Sequence, residues 1–236
     1  MATVASASTA VAITEKGAPL TAAQSLLLSQ ALLKDGQSGG SDVTVVVPFG
    51  AAATFTMTGT VDWVGHGGNV MMTTKRSDGV AQPPQQLLWS AGTLYLPLPG
   101  LSEEMKAKGR DGVTWVSRPI NPRSAVVDQV LTLLNSLASD RAENPILLRQ
   151  GDTGFLGQEA IRGRLHQRFR FGRSTYFIDP GGRIGRFVAT FRSVSGPIVV
   201  DVAAFGARPV AVPPAASVVA AADIADIYAR LSKGAG

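Results

Sequence analysis

The chain has no cysteine, which removes disulfides, thiolate metal ligands and a cysteine nucleophile together. Its two histidines, His66 and His166, fall in different strand-like regions with no cluster of Asp or Glu beside either. Lone imidazoles in that setting make neither a metal site nor a catalytic triad. No serine stands in a Gly-x-Ser-x-Gly turn, the strained elbow that exposes a hydrolase nucleophile. No apolar run reaches the roughly 18–20 residues of a membrane-spanning helix. Charge is scarce too: 17% of residues are charged against 45% hydrophobic, a balance that supplies a large core and argues against bulk disorder. The expectation is no catalytic residue, no cofactor and no metal.

What is present is arginine. The 236 residues carry a net charge of +5, mostly from arginines after residue 140. Such a balance permits attraction to anionic lipid, polymer or nucleic acid without choosing among them. Residues 1–20 are small and polar and predict a flexible lead-in. Their small-residue composition is like a linker that follows a cleavage or lipidation site. Residues 21–231 are expected to form one domain, with a frayed tail at 232–236.

Thr21 is a candidate N-cap for a helix over Ala22–Lys34, stopped by Asp35-Gly36. The period then changes to two. Strands are predicted at Val43–Val47, Ala53–Val64, Val70–Lys75, Gln85–Ser90, Thr93–Leu96 and Val113–Ser117, with a charged helical patch around Glu103–Lys108. Apolar positions Val126, Val130, Leu133, Leu134 and Leu137 form one stripe of a helix over Ser124–Leu137. Strand signals resume at Ile146.

The arginine-rich stretch from Gly157 to Phe191 predicts an antiparallel meander. Alternation places Ile161, Leu165, Phe169 and Phe171 on one face and Arg162, Arg164, His166, Arg168 and Arg170 on the other. Because the aromatics oppose the basic side chains, they cannot interleave as stacking platforms, and nucleic acid is not an expected partner. Gly65–Asn69 and Gly181–Gly185 are hairpin turns by context, since neither follows a parallel strand and opens a helix. Strands from Ile198 to Phe205 and a final helix across Ala221–Leu231 complete the order. The fold class is α+β: a large curled antiparallel sheet, a half-barrel, with helices packed in its concave face.

The succession Gly157-Gln158-Glu159-Ala160-Ile161-Arg162-Gly163, then Tyr176-Phe177-Ile178-Asp179-Pro180-Gly181-Gly182, then Val200-Asp201-Val202 through Phe205 to Pro214 resembles the LppX/LprG-type lipoproteins of actinobacteria. These are related in fold to the periplasmic lipoprotein carrier LolA. The helix at Ala22–Lys34 and the strand containing Thr58-Gly59-Thr60 also fit that pattern. The resemblance implies an apolar cavity under a curled sheet, and lipid or glycolipid carriage within the cell envelope. It also implies anchoring through a lipidated cysteine. The given sequence holds none, so the anchor lies outside it or the member is soluble. The Leu98–Asp111 insertion and the dense arginines depart from the pattern.

The expected function is therefore a non-enzymatic, secreted or cell-envelope lipid carrier. Expected cavity-lining residues are Phe55, Met57, Val61, Trp63, Met72, Leu87, Trp89, Leu96, Trp115, Val130, Leu134, Leu165 and Phe169. The competing expectation is an envelope interaction module with a filled core. It would dock an anionic membrane surface or transport partner through Arg162, Arg164, Arg168 and Arg170.

Overall fold

Thr21 does start the first helix, through a reciprocal cap. Its hydroxyl accepts from the Gln24 N–H at 3.2 Å, while the Gln24 side chain accepts from the Thr21 N–H at 2.9 Å. The computed structural model describes residues 16–80 and 82–234, and in it this helix, α1, spans Ala22–Gln37. Gly36 does not stop the helix. It permits close approach of the chain at Ser139, whose carbonyl oxygen would lie 2.5 Å from a Cβ.

Two meanders follow. The first is β1 (Gly40–Phe49), β2 (Ala53–Asp62), β3 (Gly67–Arg76), β4 (Gln85–Ser90), β5 (Thr93–Pro97) and β6 (Trp115–Pro119), with helix α2 (Leu101–Ala107) before β6. Helices α3 (Val126–Ser136) and α4 (Pro145–Gln150) lead to the second: β7 (Thr153–Ile161), β8 (Arg164–Phe171), β9 (Ser174–Ile178), β10 (Ile184–Ala189) and β11 (Ile198–Ala203). Strand β12 (Val218–Ala220) and helix α5 (Ala225–Gly234) end the described chain.

The twelve strands of the described residues form one sheet in the order β12-β6-β5-β4-β3-β2-β1-β11-β10-β9-β8-β7. The seam is the antiparallel pairing of β1 with β11, from Asp42 opposite Ala203 to Val46 opposite Val199. Among the described strands one pairing is parallel, β12 on β6 at one edge. This is the α+β class that the sequence predicts, a large open curled sheet with helices against one face.

Directly opposed residues share a face, so the register traces the concave side across the strands. Val43 and Val45 of β1 face Val202 and Val200 of β11 and Gly59 and Met57 of β2. Against them pack Leu28 and Ala31 of α1, Val130, Leu131 and Leu134 of α3, and Leu148 of α4. Each large apolar side chain among them, fully buried, contributes about 1.5–3 kcal/mol. A second core under α2 and α5 joins Leu101, Met105 and Ile227 to Val116 of β6 and Val219 of β12.

The structure departs from expectation in several places. Residues 145–150 are helical where the sequence pattern predicts a strand, because the Asn144 side chain accepts from the Ile146 N–H at 2.9 Å and Pro145 stands at the first helical position. Part of the predicted lead-in is tied down: Ala18 and Phe155 exchange backbone hydrogen bonds of 2.9 and 2.8 Å. Residues 1–15 of that lead-in lie outside the described residues, as do 235–236 of the predicted tail, whose residues 232–234 belong to α5.

Ile161 lies on the arginine face, not with Leu165 and Phe169. The two-residue turn Arg162-Gly163, both at positive φ, sets Ile161 directly opposite Arg164. There it packs with Phe177 and Val188 in a small cluster on the convex side. Simple alternation counted through the turn gives the wrong face, because a two-residue loop sets residues of opposite parity on the same face.

Candidate functional site

The expected cavity wall is occupied by protein. Met57, Val61, Trp63, Leu87, Trp89, Leu96, Val130, Leu134 and Phe169 are all buried in the main core, and Phe55 and Met72 pack half-buried at its margin. The two tryptophans fasten α3 to the sheet. Trp63 Nε1 donates to the Leu134 carbonyl at 3.2 Å and Trp89 Nε1 donates to Asn135 Oδ1 at 3.1 Å. The Trp89 ring lies across Gly68, where a Cβ would come within 2.2 Å of it.

Two expected lining residues lie elsewhere. Trp115 pairs opposite Pro97 and so shares the face of Tyr95, away from Leu94 and Leu96. Leu165 has the parity of Phe169 but is 51% exposed. It lies at the start of β8.

The arginine ladder is also different from expectation. Arg170 bonds Asp152 at 2.6 Å, Arg162 meets Asp201 at 3.5 Å and Arg168 meets Glu159 at 3.6 Å. Arg186, on the same side, bonds Asp201 at 2.6 Å. The Arg168 guanidinium also sits 5.7 Å from the centre of the Phe177 ring. Arg168 thus lies against Phe177 of the convex cluster, and all four heads meet acids. Of the four expected docking residues, Arg164 alone is exposed without such a partner among the described residues. His166 is buried, with Nδ1 2.8 Å from the Arg164 carbonyl oxygen and its ring against Gly185. That is a packing role.

A cleft opens instead along the outer edge of α3. Gln129, Thr132, Leu133 and Ser136 recur at the spacing of one helical stripe, beside the stripe that carries Val130 and Leu134 into the core. Across from them lie Thr190, Phe191, Arg192 and Ser193, which follow β10, and Arg173 in the turn between β8 and β9. Pro122 completes the wall of a cleft of about 520 Å³. The Ser193 hydroxyl donates to Gln129 Oε1 at 2.6 Å, tying the loop to the helix.

The placement of α3 rests on a buried ion pair. Asp128, fully buried, accepts from Arg118 Nη1 and Nη2 at 2.7 and 2.8 Å and from the Asn121 N–H at 2.6 Å. The bonded carboxylate raises the Arg118 guanidinium further above its ordinary range. In α1, burial pushes the Asp35 carboxyl up to about 8. The Ile184 N–H and Arg183 oppose that rise, and Asp179 adds to it.

Among the described residues no three of His, Cys, Asp and Glu come together as a metal site. No described helix is long and apolar enough to cross a membrane. Sequence reasoning misses the cleft. Its α3 stripe is legible at i, i+3, i+4 and i+7, but nothing local marks residues 190–193 as its other wall.

The molecule is thus a half-barrel of α+β class with a filled concave face and a basic-rimmed cleft beside α3. No family model matches the sequence, and no curated protein does. Among solved structures it is similar to LprF from Mycobacterium bovis, at 15% identity and a TM-score of 0.48, covering 84% of this chain and 99% of that one. It is also similar to an uncharacterised conserved protein from Thermus thermophilus, at 11% identity and a TM-score of 0.37, covering 85% and 99%. MucB is a third, at 14% identity and a TM-score of 0.33, covering 81% of this chain and 60% of that one. At these scores the architecture rests on the chain's own register, not on the likeness.

Proposed function

We propose that the chain is a non-enzymatic carrier of the LppX/LprG type, acting on the outer side of a cell membrane and sheltering a lipid acyl chain in the cleft beside α3. The observation that carries this reading is the cleft itself, about 520 Å³ with Leu133, Phe191 and Pro122 in its wall. That volume falls within the roughly 300–1,000 Å³ of small-molecule sites. It replaces the cavity expected under the sheet, which α1, α3 and α4 fill.

The magnitude is informative. A methylene removed from water contributes about 0.8 kcal/mol, so about ten methylenes half covered contribute roughly 4 kcal/mol. That corresponds to about millimolar affinity before ordering costs. The chain alone would be held loosely, as suits a carrier that must release its load.

Native mass spectrometry after incubation with mixed envelope lipids is the direct test. A bound acyl species is expected in the parent protein and is lost in Leu133→Glu. A parent protein that stays lipid-free sinks the proposal.

The filled concave face favours the interaction-module reading as the second. Its docking face, however, is largely engaged with Asp152, Glu159 and Asp201. Reversing Arg164, Arg168 and Arg170 to Glu is therefore expected to lower stability without changing lipid content. Loss of membrane association in a stably folded variant would favour the module.

A further inference from the structure

We infer that the cleft takes an anionic amphiphile, with Arg173 and Arg192 receiving a phosphate or carboxylate head group carried on the acyl chain. This deepens the carrier reading of the same cleft and rests on it. The chain contacts available there give only a loose hold, so selectivity must come from polar groups at the rim.

The charge pattern supplies them. On the convex face Arg162, Arg168, Arg170 and Arg186 each meet a carboxylate of this chain. Arg173 and Arg192 are exposed and have no acidic partner within 4.0 Å among the described residues. Among the described residues no Asp or Glu lines the cleft. A wall with two uncompensated cations beside apolar surface concentrates positive potential where an anion would lie. Guanidinium groups suit the purpose because their planar forks match carboxylate and phosphate oxygens in pairs.

The neutral polar groups fit the same occupant. Thr190 brings a hydroxyl to the cleft, while those of Thr132 and Ser136 already donate to the Asp128 and Leu133 carbonyls. Gln129 uses its Oε1 to accept from Ser193, which leaves the hydrogens of its Nε2 without a partner among the described residues. Donors at the rim and hydrocarbon on the wall describe a charged head attached to a chain, not a free anion and not a neutral oil.

Calorimetric titration of the whole protein with decanoate, decanol and inorganic phosphate separates these sources. Decanoate is expected to bind at least about tenfold more tightly than decanol, and also more tightly than phosphate. The double variant Arg173→Gln/Arg192→Gln should abolish that preference, and Arg173→Lys/Arg192→Lys should restore part of it. Both side chains are exposed, and an unchanged circular dichroism spectrum would verify the fold.

Equal binding of decanoate and decanol by the parent protein overturns the head-group inference and leaves the carrier reading standing. Phosphate binding as tightly as decanoate overturns the amphiphile in favour of a free anion. Binding of none of the three overturns both readings. A preference that survives the glutamine variant removes the role of these arginines.

Discussion

Trp89 joins two effects in one side chain: a ring buried against Gly68 and an indole N–H that holds Asn135 of α3. Trp89→Phe keeps most of the volume and loses the hydrogen bond, so a stability loss of about 1–2 kcal/mol is expected. Trp89→Ala opens a cavity as well and should cost about 3–5 kcal/mol. Urea midpoints of the two variants separate the contributions; equal losses would show that the ring contributes nothing beyond its hydrogen bond. Asp35 sets a different test. Its Oδ1 has no partner in the core, its Oδ2 accepts only a long bond of 3.4 Å from Ile184, and burial raises its carboxyl from 3.8 to about 8. The folded state therefore holds a proton that the unfolded chain releases above 3.8. Stability from this group is fully present below that value and falls as pH rises toward 8, by roughly 1.4 kcal/mol per unit. Asp35→Asn has no proton to lose. It should exceed the parent by about 5 kcal/mol near pH 8 and converge with it near pH 4. A parent whose urea midpoint is flat across this range would contradict the argument.

At the scale of elements, α3 is the piece that both closes the concave face and forms one wall of the cleft. Its position depends on Asp128, whose carboxylate satisfies Arg118 and Asn121 in the core. Asp128→Ala leaves the Arg118 charge half-buried and unpaired, and a loss of about 3 kcal/mol is expected. Because α3 carries Gln129, Thr132, Leu133 and Ser136, the same variant should weaken acyl binding by more than the loss of folded protein explains. Unchanged affinity in the folded fraction would detach the cleft from this ion pair. Periodicity makes α3 legible in the sequence, and Thr21 makes the start of α1 legible. The helix α4 escapes such a reading although Asn144-Pro145 is a sound start signal, because the short apolar run Ile146–Leu148 has no period of its own. The face of Ile161 escapes it because a two-residue turn resets which residues stand opposite each other.

For the whole molecule, the decisive contact is the seam. Strand β1 pairs with β2 on one side and β11 on the other, with Val43 and Val45 buried between the two meanders. Either half without β1 exposes a long unpaired edge, so the halves should unfold together. Urea unfolding followed by tryptophan fluorescence and by far-ultraviolet circular dichroism is expected to give coincident transitions. Two separated transitions would mean that the meanders fold independently. The sequence by itself determined the composition limits, the period-two runs, the helical stripe of α3 and hence an α+β sheet protein, because these follow from local stereochemistry and the spacing of apolar side chains. Only the tertiary structure decided what the concave face holds. Alternation alone marks a broad set of side chains as a possible cavity wall, yet whether helices or a ligand fill the space depends on how the sheet curls. The pairing of the convex arginines with distant carboxylates, and the meeting of α3 with residues 190–193 around a cleft, depend equally on contacts far apart in the chain.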